Sequence, residues 1–296
     1  MIAVLQVGPL PDAATTLLSR SFTLHHAEHG AGTVRGIATS GKASVSRELM
    51  DRLPELEIIA CLGAGTDGID GEAAAKRGIR VATTAHVLAD DVADVAMGMI
   101  VSLSRDFRGA ERFVRDGAWG HGKYPLGHAL KGANLGIVGL GTIGAALARR
   151  ADAFGMRIGY HTRSVRPSSP YRHFADLPDM ARWCRFLAVC CPGGEATRHL
   201  VGAEVLHALG PTGTLINVAR GSVVDEAALT AALDGNHIAG AGLDVFADEP
   251  HPHPALLASP RCLLLPHIGS ATQETRHAMT VAMVEALTGA LGAEAL

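Results

Sequence analysis

Three short segments in the C-terminal half hold residue types that together can move a proton and balance the charge on an oxygen. They are LINVARGSVVDE (215–226), GAGLDVFADEP (240–250) and LPHIGS (265–270). Each sets a polar residue just past an apolar run, at the carboxyl end of a predicted strand, where open α/β sheets bind ligands. Arg220 offers a planar fork of donors to a carboxylate or a carbonyl oxygen. His267 exchanges a proton near neutral pH, and Glu249 is suited to orient that ring and favour its charged form. The steps from 220 to 249 to 267 are 29 and 18 positions.

A fourth segment, LGIVGLGTIG (135–144), is a strand running into G-x-G-x-x-G and then an alanine-rich helix. Gly139 permits the tight turn, Gly141 lets the backbone approach a pyrophosphate, and Gly144 allows close helix–strand packing. Thr142 and Ile143 then open a helix whose free N–H groups and positive dipole end favour an anion. This context predicts a dinucleotide site. NAD sites of this kind carry Asp or Glu about 20 residues further on, bonded to the ribose hydroxyls. Here the second strand ends in Thr162, Arg163 and Ser164, with Arg166 close behind. No carboxylate repels a 2′-phosphate, and two guanidiniums stand ready to pair with one. The expectation is NADP(H) before NAD(H), with NADH still usable.

These segments need a frame that sets several strand ends side by side. Short apolar runs alternating with helical patterns are the signature of βαβ units around a parallel sheet. The first series reads as strands at 2–7, 37–39 and 58–61, with helices at 46–53 and 71–77. A long helix follows at 88–107, with Asp90, Asp91 and Asp94 toward its start and Arg105 and Arg108 near its end, a polarity that complements the helix dipole. The stretch 117–132 breaks all periodicity. A second series has strands at 135–138, 157–161, 185–191, 214–217, 239–244 and 263–265. Its helix lies at 143–154, and a last helix spans 271–291. The fold class is α/β, doubly wound.

At about 100–200 residues per domain, 296 residues make two domains. Twenty-six basic against 29 acidic residues give a net charge of −3, without the basic excess of a nucleic-acid protein. No apolar stretch is long enough to span a membrane, and the N-terminus reads as a first strand, not a signal peptide. Five cysteines (Cys61, Cys184, Cys190, Cys191, Cys262) form no C-x-x-C pair, as expected of reduced thiols in a cytoplasmic protein. His25, His26 and His29, and the pair His251 and His253, lack partners at zinc spacing, so no metal is expected.

With these motifs in chain order, the sequence resembles the D-isomer-specific 2-hydroxyacid dehydrogenase family over nearly its whole length. The resemblance implies two Rossmann-like domains with an active site in the cleft between them. Residues 1–95 plus 270–296 would be the flavodoxin-like substrate domain and 96–269 the nucleotide domain. It implies reduction of a short 2-oxo acid such as glyoxylate or hydroxypyruvate, with Arg220, Glu249 and His267 as the triad. By motif, Leu62, Gly63, Ala64 and Gly65 become the substrate loop and Asp244 the partner of the nicotinamide carboxamide. Cys191, Pro192 and Thr197 fall in the loop beneath the adenosine half, where Gly193 and Gly194 depart from the commoner wording. Val218, Ala219 and Gly269 flank the cofactor. Lys42 is a further candidate for a substrate carboxylate. The stretch 119–124, with Trp119 and Tyr124, falls where family members reach into a partner subunit, implying a homodimer. Hydroxyphenylpyruvate, 2-ketogluconate or phosphite as substrate, or a non-catalytic dinucleotide-sensing corepressor, stay open as alternatives.

Overall fold

The computed structural model describes residues 1–26, 31–41 and 43–293, so Lys42 and His29 lie outside the described residues. The chain divides into two compact units, residues 1–89 with 270–296 and residues 90–269. The division falls inside a helix, between residues 89 and 90 rather than after residue 95.

The first unit runs β1 (Ile2–Val7), α1 (Asp12–Ser21), β2 (Phe22–His25), β3 (Val34–Ser40), α2 (Arg47–Asp51), β4 (Ile58–Leu62), α3 (Gly71–Lys76) and β5 (Arg80–Thr83). Its strands are all parallel, in the order β2-β1-β3-β4-β5. That is the flavodoxin-like winding, with the strand order reversing beside β1. Side-chain caps set the helix starts: Ser46 accepts from the Leu49 N–H and Asp70 from the Ala73 N–H.

Helix α4 (Ala85–Arg105) carries the division and starts three residues before the expected 88. Asp90 and Asp94 therefore sit beyond its first turn and do not serve its dipole. Their carboxylates take the Arg150 guanidinium instead, at 2.8 and 2.5 Å. Arg108 belongs to the next helix, α5 (Phe107–Arg115). The break comes at Asp106, whose backbone is left-handed (φ +46°) and whose side chain caps the Gly109 N–H.

The rest of the second unit is β6 (Asn134–Val138), α6 (Thr142–Ala153), β7 (Arg157–His161), β8 (Arg172–Phe174), α7 (Leu177–Trp183), β9 (Phe186–Val189), α8 (Ala203–Leu209), β10 (Thr214–Asn217), α9 (Glu226–Asp234), β11 (Gly240–Leu243), α10 (Pro254–Ala258) and β12 (Cys262–Leu264). All seven strands pair in parallel, in the order β12-β11-β10-β9-β6-β7-β8. β9, β10 and β11 are buried at every position, which is why they read as continuous apolar runs. The order reverses between β6 and β9, so a crevice opens beyond their carboxyl ends. His253 has a structural duty: its Nδ1 caps α10 by accepting from the Ala255 N–H.

Helix α11 (Gln273–Leu291) returns to the first unit and lays Met283, Val284, Leu287 and Leu291 on Val4, Ala38, Ile58 and Ala60. No helix among the described residues is long and apolar enough to cross a membrane, and none of their His, Cys, Asp and Glu side chains group as a metal site.

Candidate active site

The glycine turn sits at the β6–β9 reversal. Gly139 has φ +95°, and a methyl on it would lie 2.7 Å from the Cys191 backbone. One on Gly144 would lie 2.1 Å from the Gly139 carbonyl oxygen. Both positions therefore admit no side chain. Gly141 is the opposite case. It caps α6 without a side-chain bond, and a methyl there would meet nothing. The opening before the Thr142 and Ile143 N–H groups is thus shaped for an outside group, and an anion fits it. The residues present suit a dinucleotide pyrophosphate.

On one side of this cradle, β7 leads into the 162–166 turn. The Thr162 hydroxyl donates to the Ser164 carbonyl at 2.7 Å. Arg163 and Arg166 are exposed, and neither guanidinium has a partner among the described residues. On the other side, Cys191 and Pro192 follow β9. There the Thr197 hydroxyl closes the turn on the Pro192 carbonyl at 2.7 Å. All five cysteines are free thiols.

Beyond β10, Val218 and Ala219 are buried and Arg220 is half-buried, with one guanidinium nitrogen on the Ala219 carbonyl at 2.7 Å. Gly221 presses on the 246–247 backbone so closely that a methyl would lie 1.9 Å from the Phe246 carbonyl carbon. The two loops carrying Arg220 and Glu249 therefore meet backbone to backbone. Glu226, at the start of α9, ties them further by accepting from the Ala247 N–H at 2.7 Å.

His267 holds a left-handed backbone (φ +55°), a conformation uncommon outside glycine that needs support from its surroundings. Asp244 supplies it. Its two oxygens accept from the next two N–H groups, Ile268 at 2.7 Å and Gly269 at 2.8 Å. Burial pushes the Asp244 carboxyl up, and those two N–H groups oppose the shift. The His267 Nδ1 lies 2.8 Å from the Glu249 carboxylate, whose other oxygen accepts from the Phe246 N–H at 3.2 Å. Nε2 has no protein partner among the described residues. The ring is thus anchored at one nitrogen and available at the other.

In the first unit, the turn after β4 holds Leu62, Gly63, Ala64 and Gly65. Thr84 pins it, its hydroxyl accepting from the Gly63 N–H and its own N–H donating to the Gly63 carbonyl, each at 2.9 Å. The Ala64 and Gly65 N–H groups bond no protein acceptor among the described residues. Sequence reasoning missed Thr84 and Glu226. Both act through contacts 21 positions away, and no local spacing marks them.

A phosphate cradle at the β6–β9 reversal and an anchored imidazole just past β12, three strands along from β9, fit a dinucleotide-dependent oxidoreductase. Residues 97–269 match the D-isomer specific 2-hydroxyacid dehydrogenase, NAD binding domain family. The chain is 42% identical over 290 residues to a 2-ketogluconate reductase of Gluconobacter oxydans, covering 96% of this chain and 94% of that one. It is 42% identical over 247 residues to a glyoxylate/hydroxypyruvate reductase of Arabidopsis thaliana, covering 83% and 79%. Among solved structures it resembles an NADPH-dependent glyoxylate/hydroxypyruvate reductase of Sinorhizobium meliloti in complex with NADP and malonate. That match has a TM-score of 0.88 at 42% identity, over 97% of this chain and 92% of that one. The chain belongs to the D-isomer-specific 2-hydroxyacid dehydrogenase family. It is an NAD(P)-dependent oxidoreductase acting on CH–OH groups.

Proposed function

We propose that this protein reduces a short 2-oxo acid, glyoxylate or hydroxypyruvate, to the D-2-hydroxy acid with NADPH. The observation that carries the reading is the His267–Glu249 pair, with Nδ1 held at 2.8 Å and Nε2 left without a protein partner among the described residues. The reduced nicotinamide supplies a hydride to C2 of the substrate. Nε2 of His267 delivers the proton to the carbonyl oxygen as general acid, and takes it back in the reverse direction. Arg220 polarises that carbonyl and balances the developing negative charge, a role worth about 3 kcal/mol of barrier for one donor. Glu249 fixes the ring through Nδ1. Asp244 holds the His267 backbone and keeps lone pairs for the nicotinamide carboxamide.

The preference for NADPH rests on Thr162 at the position of a ribose-binding carboxylate and on the two exposed arginines beside it. The Sinorhizobium relative, described as NADPH-dependent, supports it. A homodimer accounts for Phe107, Val114, Trp119 and Leu126, large apolar side chains left exposed on α5 and the stretch after it. Free thiols suit a reducing cytoplasm. The Gluconobacter relative favours one second reading, 2-ketogluconate as substrate. Initial rates with glyoxylate, hydroxypyruvate, pyruvate, phenylpyruvate and 2-ketogluconate, each with NADPH and NADH, decide among these. In the same assay His267→Asn is expected to cut reduction about 10²–10⁴-fold while cofactor binding stays nearly intact. Near-normal turnover would remove His267 as the acid.

A further inference from the structure

We propose that Tyr160 is a positioning residue for recognition of the 2′-phosphate: its buried hydroxyl fixes the turn that presents Arg163 and Arg166. The proposal rests on the NADPH reading above. Tyr160 lies on β7 and is 1% exposed. A phenol that deep must find a hydrogen-bond partner, and a phenylalanine would fill the same space without that demand. The partner is the backbone of Arg166. The Arg166 N–H donates to the Tyr160 oxygen at 2.9 Å, and the Tyr160 O–H faces the Arg166 carbonyl at 3.5 Å. One hydroxyl thus holds both polar groups of the residue that carries the second guanidinium.

The near end of the turn is held from the same place. The His173 ring on β8 lies 5.1 Å from the Tyr160 ring, and its Nε2 is 3.1 Å from the Thr162 carbonyl oxygen. The Thr162 hydroxyl reaches forward to Ser164. Thr162, Ser164 and Arg166 are thereby fixed, while the two arginine side chains stay free in solvent. Long side chains lose rotamer freedom when they close on a ligand. A backbone set beforehand confines that cost to the side chains and preserves affinity. A dinucleotide with a bare 2′-hydroxyl offers the arginines nothing to close on, so it gains nothing from the arrangement. Tyr160 therefore acts on specificity and not on dinucleotide binding in general.

The test is Tyr160→Phe, with dissociation constants measured by calorimetry for NADP⁺, NAD⁺ and adenosine 2′,5′-bisphosphate. Loss of one ordinary hydrogen bond is expected to weaken NADP⁺ and the bisphosphate about three- to ten-fold and to leave NAD⁺ within about two-fold. Retained NAD⁺ binding also shows that the variant is folded. His173→Leu removes the second anchor with Tyr160 in place, and is expected to give the same selective loss. Equal weakening of NADP⁺ and NAD⁺, or no change in either, overturns the proposal. A wild-type protein that binds the bisphosphate no more tightly than adenosine 5′-monophosphate defeats the NADPH reading itself, and the role of Tyr160 with it.

Discussion

Glu249→Gln is the substitution that most directly tests how the imidazole is held. Both carboxylate oxygens are committed, one to the Phe246 N–H at 3.2 Å and the other to His267 Nδ1 at 2.8 Å. Glutamine keeps one acceptor and turns the other position into a donor. Either the loop or the ring then faces a donor with its own donor. The negative charge opposite the protonated ring is lost as well. A hydrogen bond to a charged group contributes about 1.5–3 kcal/mol. The His267 side chain is 39% exposed and that of Glu249 17%, so solvent screens part of this interaction. The lower end, about 1.5–2 kcal/mol, is the working figure, which converts to a fall in kcat of about ten- to thirty-fold. KM for the oxo acid and for the cofactor is expected to stay within about two-fold, because the lost interaction matters most as the proton moves. The assay is the initial rate of loss of reduced-nicotinamide absorbance, with single-turnover runs to show that chemistry limits the rate. An unchanged kcat under those conditions, or a rise in KM alone, would show that Glu249 does not act through His267.

Three further outcomes follow from other parts of the site. Arg163→Ala is expected to raise KM for NADPH about ten-fold or more and to leave NADH within about two-fold, since an arginine–phosphate contact is charge-assisted; equal loss for both cofactors would dismiss the 2′-phosphate. Glu226→Ala frees the Ala247 N–H and is expected to lower kcat about three- to ten-fold at unchanged KM, with Glu226→Gln, which keeps an acceptor, restoring most of it. Equal losses in the two variants would separate Glu226 from the Glu249 loop. Burial pushes the thiols of Cys184 and Cys190 up to about 12 and that of Cys191 up to about 11. Unfolded cysteines ionise from about 8.5, so above that pH the unfolded chain binds fewer protons and stability should fall as pH rises toward 11. Denaturant midpoints measured from about pH 8 to 10 check this, and a flat midpoint refutes it.

Nine of the twelve strands were legible because they are short, apolar and bounded by turn residues, and β1, β7 and β10 have the bounds read from sequence, whereas the outer strands β2, β5 and β8 were not read. Several helices were not read either. α7 and α8 are seven residues each and lean on one another, and on the sheet, more than on their own periodicity. α5 was hidden because Phe107 continues the apolar pattern of α4, while the actual break depends on the left-handed backbone of Asp106. Arg220, Glu249 and His267 stood out because each closes a strand within a recognisable motif. Tyr160 did not, since a tyrosine in an apolar strand looks like core until its hydroxyl is seen to reach the Arg166 backbone. His253, set aside from sequence as a metal ligand, proves to be a helix cap, a role that its place beside prolines does not announce.

The discontinuity of the first unit bears on how the chain is made. Residues 1–89 emerge from the ribosome first, yet Val4, Ala38, Ile58 and Ala60 wait for Met283, Val284, Leu287 and Leu291 to cover them. The intervening 180 residues, 90–269, form a unit of their own with a continuous sequence. That unit can close its core during synthesis, while the part of the N-terminal sheet that α11 covers stays open until residues 283–291 are made. Such a face invites intermolecular association, the hazard that chaperones meet in nascent chains. A chain released at residue 269 should therefore aggregate through its N-terminal sheet, and supplying residues 270–296 as a separate peptide during refolding should relieve it.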